Sequence, residues 1–131
     1  MINWNNLDTL TSFKELSEVE RVNLAEVMSG ENGAERVKDY SVPMTEDLTY
    51  NYAAKAVDDK VLAALAKLAK EAQLTEKYAA LYNGEVINTG EKRLVLHQLT
   101  RGQLGDKVEA DGVDKREFYV KQQQRTADFA N

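Results

Sequence analysis

His97 is the single histidine of the chain, and no cysteine accompanies it. An imidazole gives and takes protons near neutral pH, but general acid/base work also needs an orienting partner and a pocket. His97 lies in the apolar stretch Leu94-Val95-Leu96-His97. That setting reads as a packed or hydrogen-bonded helix histidine, with no orienting acid to complete a Ser-His-Asp set. One histidine and no thiolate leave no donor set for a structural zinc site. Asp58-Asp59 is the obvious acidic pair for a hard cation. Adjacent residues of a helix point in different directions, however, so the pair reads as a solvated helix start. The glycines match neither the dinucleotide fingerprint nor the phosphate loop. Gly102-Gln103-Leu104-Gly105 follows a helical stretch and reads as its stop, with amides not aimed at an anion. Gln122-Gln123-Gln124 is a short helical run with at least one residue facing water. Trp4 either contacts a partner or closes the edge of the core.

The elements that would position these groups follow from the apolar spacing. Ser12 to Met28 carries Phe13, Leu16, Val19, Val22, Leu24 and Val27 and predicts two short helices. Gly30-Glu31-Asn32-Gly33 interrupts them, Ala34 to Tyr40 adds a turn or two of helix, and Pro43 ends that piece. Leu48, Tyr50 and Tyr52 alternate as in a half-buried strand. From Asp58 to Gln73, Val61, Leu62, Leu65, Leu68, Ala69 and Ala72 form one stripe of an amphipathic helix. Its aspartates stand at the N-terminal end and Lys67 and Lys70 near the C-terminal end, as the dipole favours. A further helix spans Thr75 to Tyr82, buries Tyr78 and Leu81, and stops at Gly84. Asn88-Thr89-Gly90-Glu91 has the form of a capping box. It predicts a helix to about Arg101 that buries Leu94, Val95 and Leu99 or their neighbours. Val108 to Val113 centres on Asp111-Gly112, the turn of a small hairpin or an irregular loop. Asp114-Lys115-Arg116-Glu117 repeats the capping pattern before a helix carrying Phe118, Gln122, Arg125 and Phe129. That helix still runs at Asn131, so the chain reads as cut.

Composition sets the outer limits. The chain has 131 residues, 43% hydrophobic and 30% charged, with one proline and a formal charge of −5. It is long enough for one folded domain, taken as residues 1–131, with a core of its own. The acidic balance and the lack of a basic stripe argue against duplex nucleic acid and anionic membranes as partners. The first residues, Met1-Ile2-Asn3-Trp4, form no signal peptide, and no apolar run nears the length of a membrane span. The expectation is a soluble, cytoplasmic, mainly α chain with a short extended strand or hairpin.

From Asn83 to Gly102 the sequence resembles the glucose-6-phosphate isomerase family. Gly84, Glu85, Ile87, Asn88, Glu91, Arg93, Val95, Leu96, His97 and Arg101 match the family pattern in order, and Thr89-Gly90 departs from it. Tyr50-Asn51-Tyr52-Ala53-Ala54-Lys55, Leu74-Thr75-Glu76-Lys77-Tyr78 and Val108 to Asp114 are similar to flanking family segments. His97 to Gly102 is similar to a divergent bacterial branch. The resemblance covers most of the chain, more weakly before Tyr40.

The resemblance implies a parent several times longer that interconverts glucose 6-phosphate and fructose 6-phosphate in glycolysis and gluconeogenesis. It also implies no cofactor and a homodimer. The family's glycine-rich phosphate loop, arginine, glutamate base, ring-opening histidine and late lysine have no counterpart here. His97 corresponds to a helix histidine of the family and not to the ring-opening one. No catalytic or substrate-binding residue is assigned, and the sugar phosphate is a partner only of the full-length enzyme. The implied role is a helical N-terminal layer packed on the parent's α/β sugar-isomerase domains, inactive alone. The rival reading is a free-standing helical interaction module derived from the same family.

Overall fold

A computed structural model describes residues 1–101 and 106–131. The helix stop expected at Gly102-Gln103-Leu104-Gly105 lies outside the described residues. The chain divides into two compact units, Asn5–Glu71 and Met1–Trp4 with Ala72–Asn131. Helices dominate both, joined by small antiparallel hairpins.

In the unit Asn5–Glu71, a short 3₁₀ turn at Leu7–Thr9 leads into α1 (Thr11–Glu18), followed by α2 (Leu24–Ser29) and α3 (Gly33–Asp39). The two helices predicted between Ser12 and Met28 are therefore present. Asn23 caps α2 by accepting from the Glu26 amide at 3.3 Å. Nothing local caps α1. Its free amides at Thr11 and Ser12 donate instead to the Glu71 carboxylate, at 3.2 and 2.8 Å. Glu71 ends α4 (Asp59–Glu71), so one carboxylate fixes α1 against α4. Asp58 caps α4 by accepting from the Val61 amide at 2.8 Å. On α4 the fully buried residue is Ala64, while Leu65, expected in the core, is exposed. Small side chains let the helix backbone approach closely, and the larger stripe residues Val61, Leu62 and Leu68 are half-buried beside them.

Pro43 does not end α3, which stops at Asp39. It lies inside β1 (Ser41–Thr45), paired with β2 (Leu48–Asn51). A proline fits an outer strand, where its missing N–H costs no ladder bond, and a register shift follows it between Pro43 and Thr45. Val42 stands opposite Tyr50 and Thr45 opposite Leu48.

In the unit of Met1–Trp4 with Ala72–Asn131, α5 (Leu74–Tyr82) ends on Gly84 at φ 74°. The Gly84 amide donates to Leu81 O at 3.2 Å and the Glu85 amide to Ala80 O at 2.9 Å, the bond pair that closes a helix with a left-handed glycine. Ala80 is buried and Tyr78, expected to be, is exposed. The helix expected after Asn88 is absent. Asn88 accepts from the Glu91 amide at 3.1 Å, so the capping bond forms. It closes a hairpin instead, β3 (Val86–Asn88) against β4 (Arg93–Leu94). Lys92 at φ 53° turns the chain out of the helical path, and an Asx turn uses the same bond as a helix cap. A 3₁₀ turn, His97–Thr100, follows and buries Leu99. Asp111 and Gly112 both have positive φ, 54° and 72°, which makes the turn between β5 (Glu109–Ala110) and β6 (Val113–Asp114) type I′. Asp114 then caps α6 (Lys115–Ala130), accepting from the amides of Arg116 at 2.9 Å and Glu117 at 3.3 Å. Gln122 is half-buried on α6, whereas Gln123 and Gln124 face water.

Candidate functional site

The groups with chemical potential are built into turns and helix starts. His97 opens the 3₁₀ turn and is exposed, not packed inside a helix. Its imidazole makes no hydrogen bond among the described residues. Asp58 spends its carboxylate on the Val61 amide of α4. Asp59 accepts from the Tyr40 hydroxyl at 3.1 Å. Partial burial first, and that carboxylate second, hold the Tyr40 hydroxyl above its ordinary pKa. Trp4 is partly exposed and takes the Lys77 ammonium over its ring at 5.5 Å. Among the described residues, no group of three or more His, Asp or Glu side chains could hold a metal ion.

Among the described residues, a cleft lined by Glu26, Glu31, Glu35 and Asp39 is acidic and unsuited to an anion, and a second has mixed polar walls. It lies between the β3–β4 and β5–β6 hairpins, where Lys92, Arg93 and Lys115 face Glu85, Glu109 and Asp111. The signs balance, and two of the cations already have partners nearby: Arg93 lies 3.7 Å from Glu91 and Lys115 lies 4.0 Å from Asp111. Such a cleft has no net field to gather a phosphate.

Two buried arginines escaped the sequence reading. Arg36, on α3, donates from Nε to Ala53 O at 2.9 Å and from Nη2 to Lys55 O at 3.1 Å and Val57 O at 2.7 Å. Its guanidinium also lies 4.1 Å from the centre of the Tyr40 ring. Arg116, at the start of α6, donates to Asp106 O and, at 3.5 Å, to Tyr82 O. Each is a fork of donors that satisfies backbone carbonyls: those of an irregular segment for Arg36, and those of Asp106 and of the last residue of α5 for Arg116. No local residue pattern announces such a role. The one usable signal is that each arginine sits in the first turn or two of a helix beside a segment without helix or strand.

The first hairpin presents the most distinct surface. Val42, Met44, Leu48 and Tyr50 share one face of β1–β2 and are between 45% and 60% exposed. Ser41, Pro43, Thr49 and Asn51 occupy the other face. Tyr50 stacks on Tyr52 at 6.0 Å. The apolar face runs into a groove lined by Tyr52, Val57 and Leu62. The sequence showed half of this alternation, at Leu48, Tyr50 and Tyr52; Pro43 concealed the other strand. On α6, Phe118 and Phe129 are also exposed. The site that this architecture offers is thus a set of contact faces held by internal clamps.

The sequence profile of the phosphoglucose isomerase family matches residues 51–131. The chain belongs to that family. Its relatives include the glucose-6-phosphate isomerase of Treponema denticola, 49% identical over 97% of this chain and 25% of that protein. The enzyme of the same name from Treponema pallidum (strain Nichols) is 42% identical over 98% of this chain and 25% of its own length. That of Borreliella afzelii is 39% identical over 99% and 24%. The chain therefore spans about a quarter of the length of the curated relatives it matches. No helix among the described residues is long and apolar enough to cross a membrane.

Proposed function

We propose that this chain is the N-terminal part of a glucose-6-phosphate isomerase and acts as one helical layer of that enzyme. The whole enzyme interconverts glucose 6-phosphate and fructose 6-phosphate in the cytoplasm, as a homodimer and without a cofactor. The observation that carries the reading is the end-to-end match to a quarter of the relatives, at 49% identity in the first of them.

Aldose–ketose isomerisation moves a proton between C1 and C2 of the sugar. It needs a placed carboxylate base, an acid to open the ring and an anchor for the phosphate. Here the single histidine is exposed and without a hydrogen-bond partner among the described residues, Asp58 and Asp59 are engaged at a helix start, and the polar cleft is charge-balanced. The catalytic set therefore belongs to the other three quarters of the parent, and this chain contributes no catalytic, substrate-binding or metal-binding residue. Its buried arginines and helix caps hold contact faces in shape for the sugar-isomerase domains.

The test pairs two preparations. The isolated chain is given glucose 6-phosphate, and fructose 6-phosphate is followed against a mock preparation. A full-length chimera, with this chain in place of the matching quarter of the Treponema denticola enzyme, is assayed beside it. Turnover by the chimera and none by the isolated chain is the expected result. Turnover by the isolated chain above the mock level overturns the assignment of catalysis to the missing part.

A further inference from the structure

From the chemistry and area of the β1–β2 hairpin we infer that its apolar face, Val42, Met44, Leu48 and Tyr50, is the seat of a permanent contact with the part of the isomerase polypeptide that lies outside this chain. The inference rests on the reading of the chain as part of a longer isomerase. It goes further by naming the surface and its occupant.

Three observations select that occupant. The first is patterning. A two-stranded hairpin is marginal in water unless one face is covered. Here the two faces are largely sorted, with Val42, Met44, Leu48 and Tyr50 on one side beside a single polar residue, Thr45, which stands opposite Leu48, and Ser41, Pro43, Thr49 and Asn51 on the other. Antiparallel strands sorted in this way have the apolar side against a core. Glu46 and Asp47 sit at the turn, beyond the last apolar pair, and Lys55 lines the groove into which the face runs.

The second is surface. The chain exposes 10405 Å². Two separate globules of half its mass, sharing no surface at all, would expose together about 8,400 Å². The difference, about 2,000 Å², is more than twice the ~800 Å² that each partner gives to a standard interface. The fully buried apolar residues among those described agree, since four of the six are alanines. A chain that buries little more than alanine leaves its larger apolar groups for something else to cover.

The third is area against length. The four hairpin side chains expose about 400 Å², half of what a stable dimer takes from each partner. The face is too small to hold two copies together by itself. It suits one patch of a larger burial within a single polypeptide, and three quarters of the relatives' length lies outside this chain.

The test is amide hydrogen exchange across residues 41–51, read in the isolated chain and in the full-length chimera with the Treponema denticola enzyme. The hairpin amides are expected to exchange at least about tenfold more slowly in the chimera. Leu48→Glu should remove that protection, and Thr49→Glu, on the opposite face, should leave it. Equal exchange in the isolated chain and the chimera overturns the inference. So does a hairpin that is already protected in the isolated chain. If sedimentation then shows a dimer that Leu48→Glu dissolves, the occupant is a second copy; if it shows a monomer, the chain covers the face itself. Should the chimera fail to fold, exchange in the intact Treponema denticola enzyme over the matching segment decides the same question. Activity separates the two readings. An active chimera with an unprotected hairpin keeps the parent and loses the contact, and an inactive one with a protected hairpin does the reverse.

Discussion

Replacing Arg36 by alanine should cost the unit Asn5–Glu71 about 4 kcal/mol. The figure comes from what the guanidinium touches. Ala53 is 2% exposed, so its carbonyl, 2.9 Å from Nε, has no water to turn to when the arginine goes. A buried acceptor that loses a charged donor accounts for about 2 kcal/mol. The carbonyls of Lys55 and Val57 are partly open and can be rehydrated, so each adds only about 0.5 kcal/mol. The contact with the Tyr40 ring adds about 1 kcal/mol. Arg36→Lys should recover less than half of the loss, because an ammonium is a point charge that cannot reach three carbonyls along a fork. The assay is urea unfolding of the two variants and the native chain, followed by circular dichroism, with exchange at residues 52–58 as a local readout. A cost below about 1 kcal/mol for Arg36→Ala, or equal costs for lysine and alanine, would refute the clamp.

Other substitutions test other joints. Gly84→Ala puts a Cβ 2.2 Å from Val108 Cγ1, a buried side chain, at a backbone φ of 74°. It should cost about 2–4 kcal/mol from overpacking and left-handed strain together. In a Val108→Ala background only the strain, about 1 kcal/mol, should remain, and an unchanged cost would show that the contact is not the cause. Glu71 is held below its ordinary value of 4.5, first by the neighbouring Ser12 hydroxyl and then by the Ser12 and Thr11 amides. The Ser12 Oγ lacks hydrogen-bonding geometry, so the amide bonds carry most of that effect. A depressed carboxyl stabilises the fold above pH 4.5 and loses this contribution as pH falls through its lowered folded value. Urea midpoints at pH 7 and pH 3 should therefore converge in Glu71→Gln relative to the native chain, and parallel pH profiles would exclude the cap.

Elements with a sustained apolar period were legible in the sequence. The two helices between Ser12 and Met28, α4, α5 and α6 lie within a few residues of their expected bounds, and Asp114 caps as its spacing to Glu117 suggested. The Asp111-Gly112 turn was legible because type I′ geometry demands residues tolerant of positive φ. The failures share a physical cause. Asn88 and Glu91 make a bond common to helix caps and hairpin turns, and the left-handed Lys92 that decides between them leaves no mark in composition. Pro43 reads as a stop because the sequence does not reveal that its strand is an outer one. Leu65 and Tyr78 were placed inside on amphipathic spacing, which shows that a side chain wants cover but not what supplies it. His97 fell with the helix that was meant to hold it. Arg36 and Arg116 bind backbone, and backbone carbonyls are the same in every sequence.

Lys55 shows what the Arg36 clamp means outside equilibrium. It is an exposed lysine in a segment without helix or strand, the kind of bond that a trypsin-like protease takes first. A protease must draw several residues into an extended line and seat the carbonyl before the scissile bond in its own oxyanion hole. That carbonyl, Lys55 O, is already held by Arg36 Nη2, and its neighbours at Ala53 and Val57 are held by the same side chain. A loop that looks like an invitation to cleavage is locked at the atom the enzyme must capture.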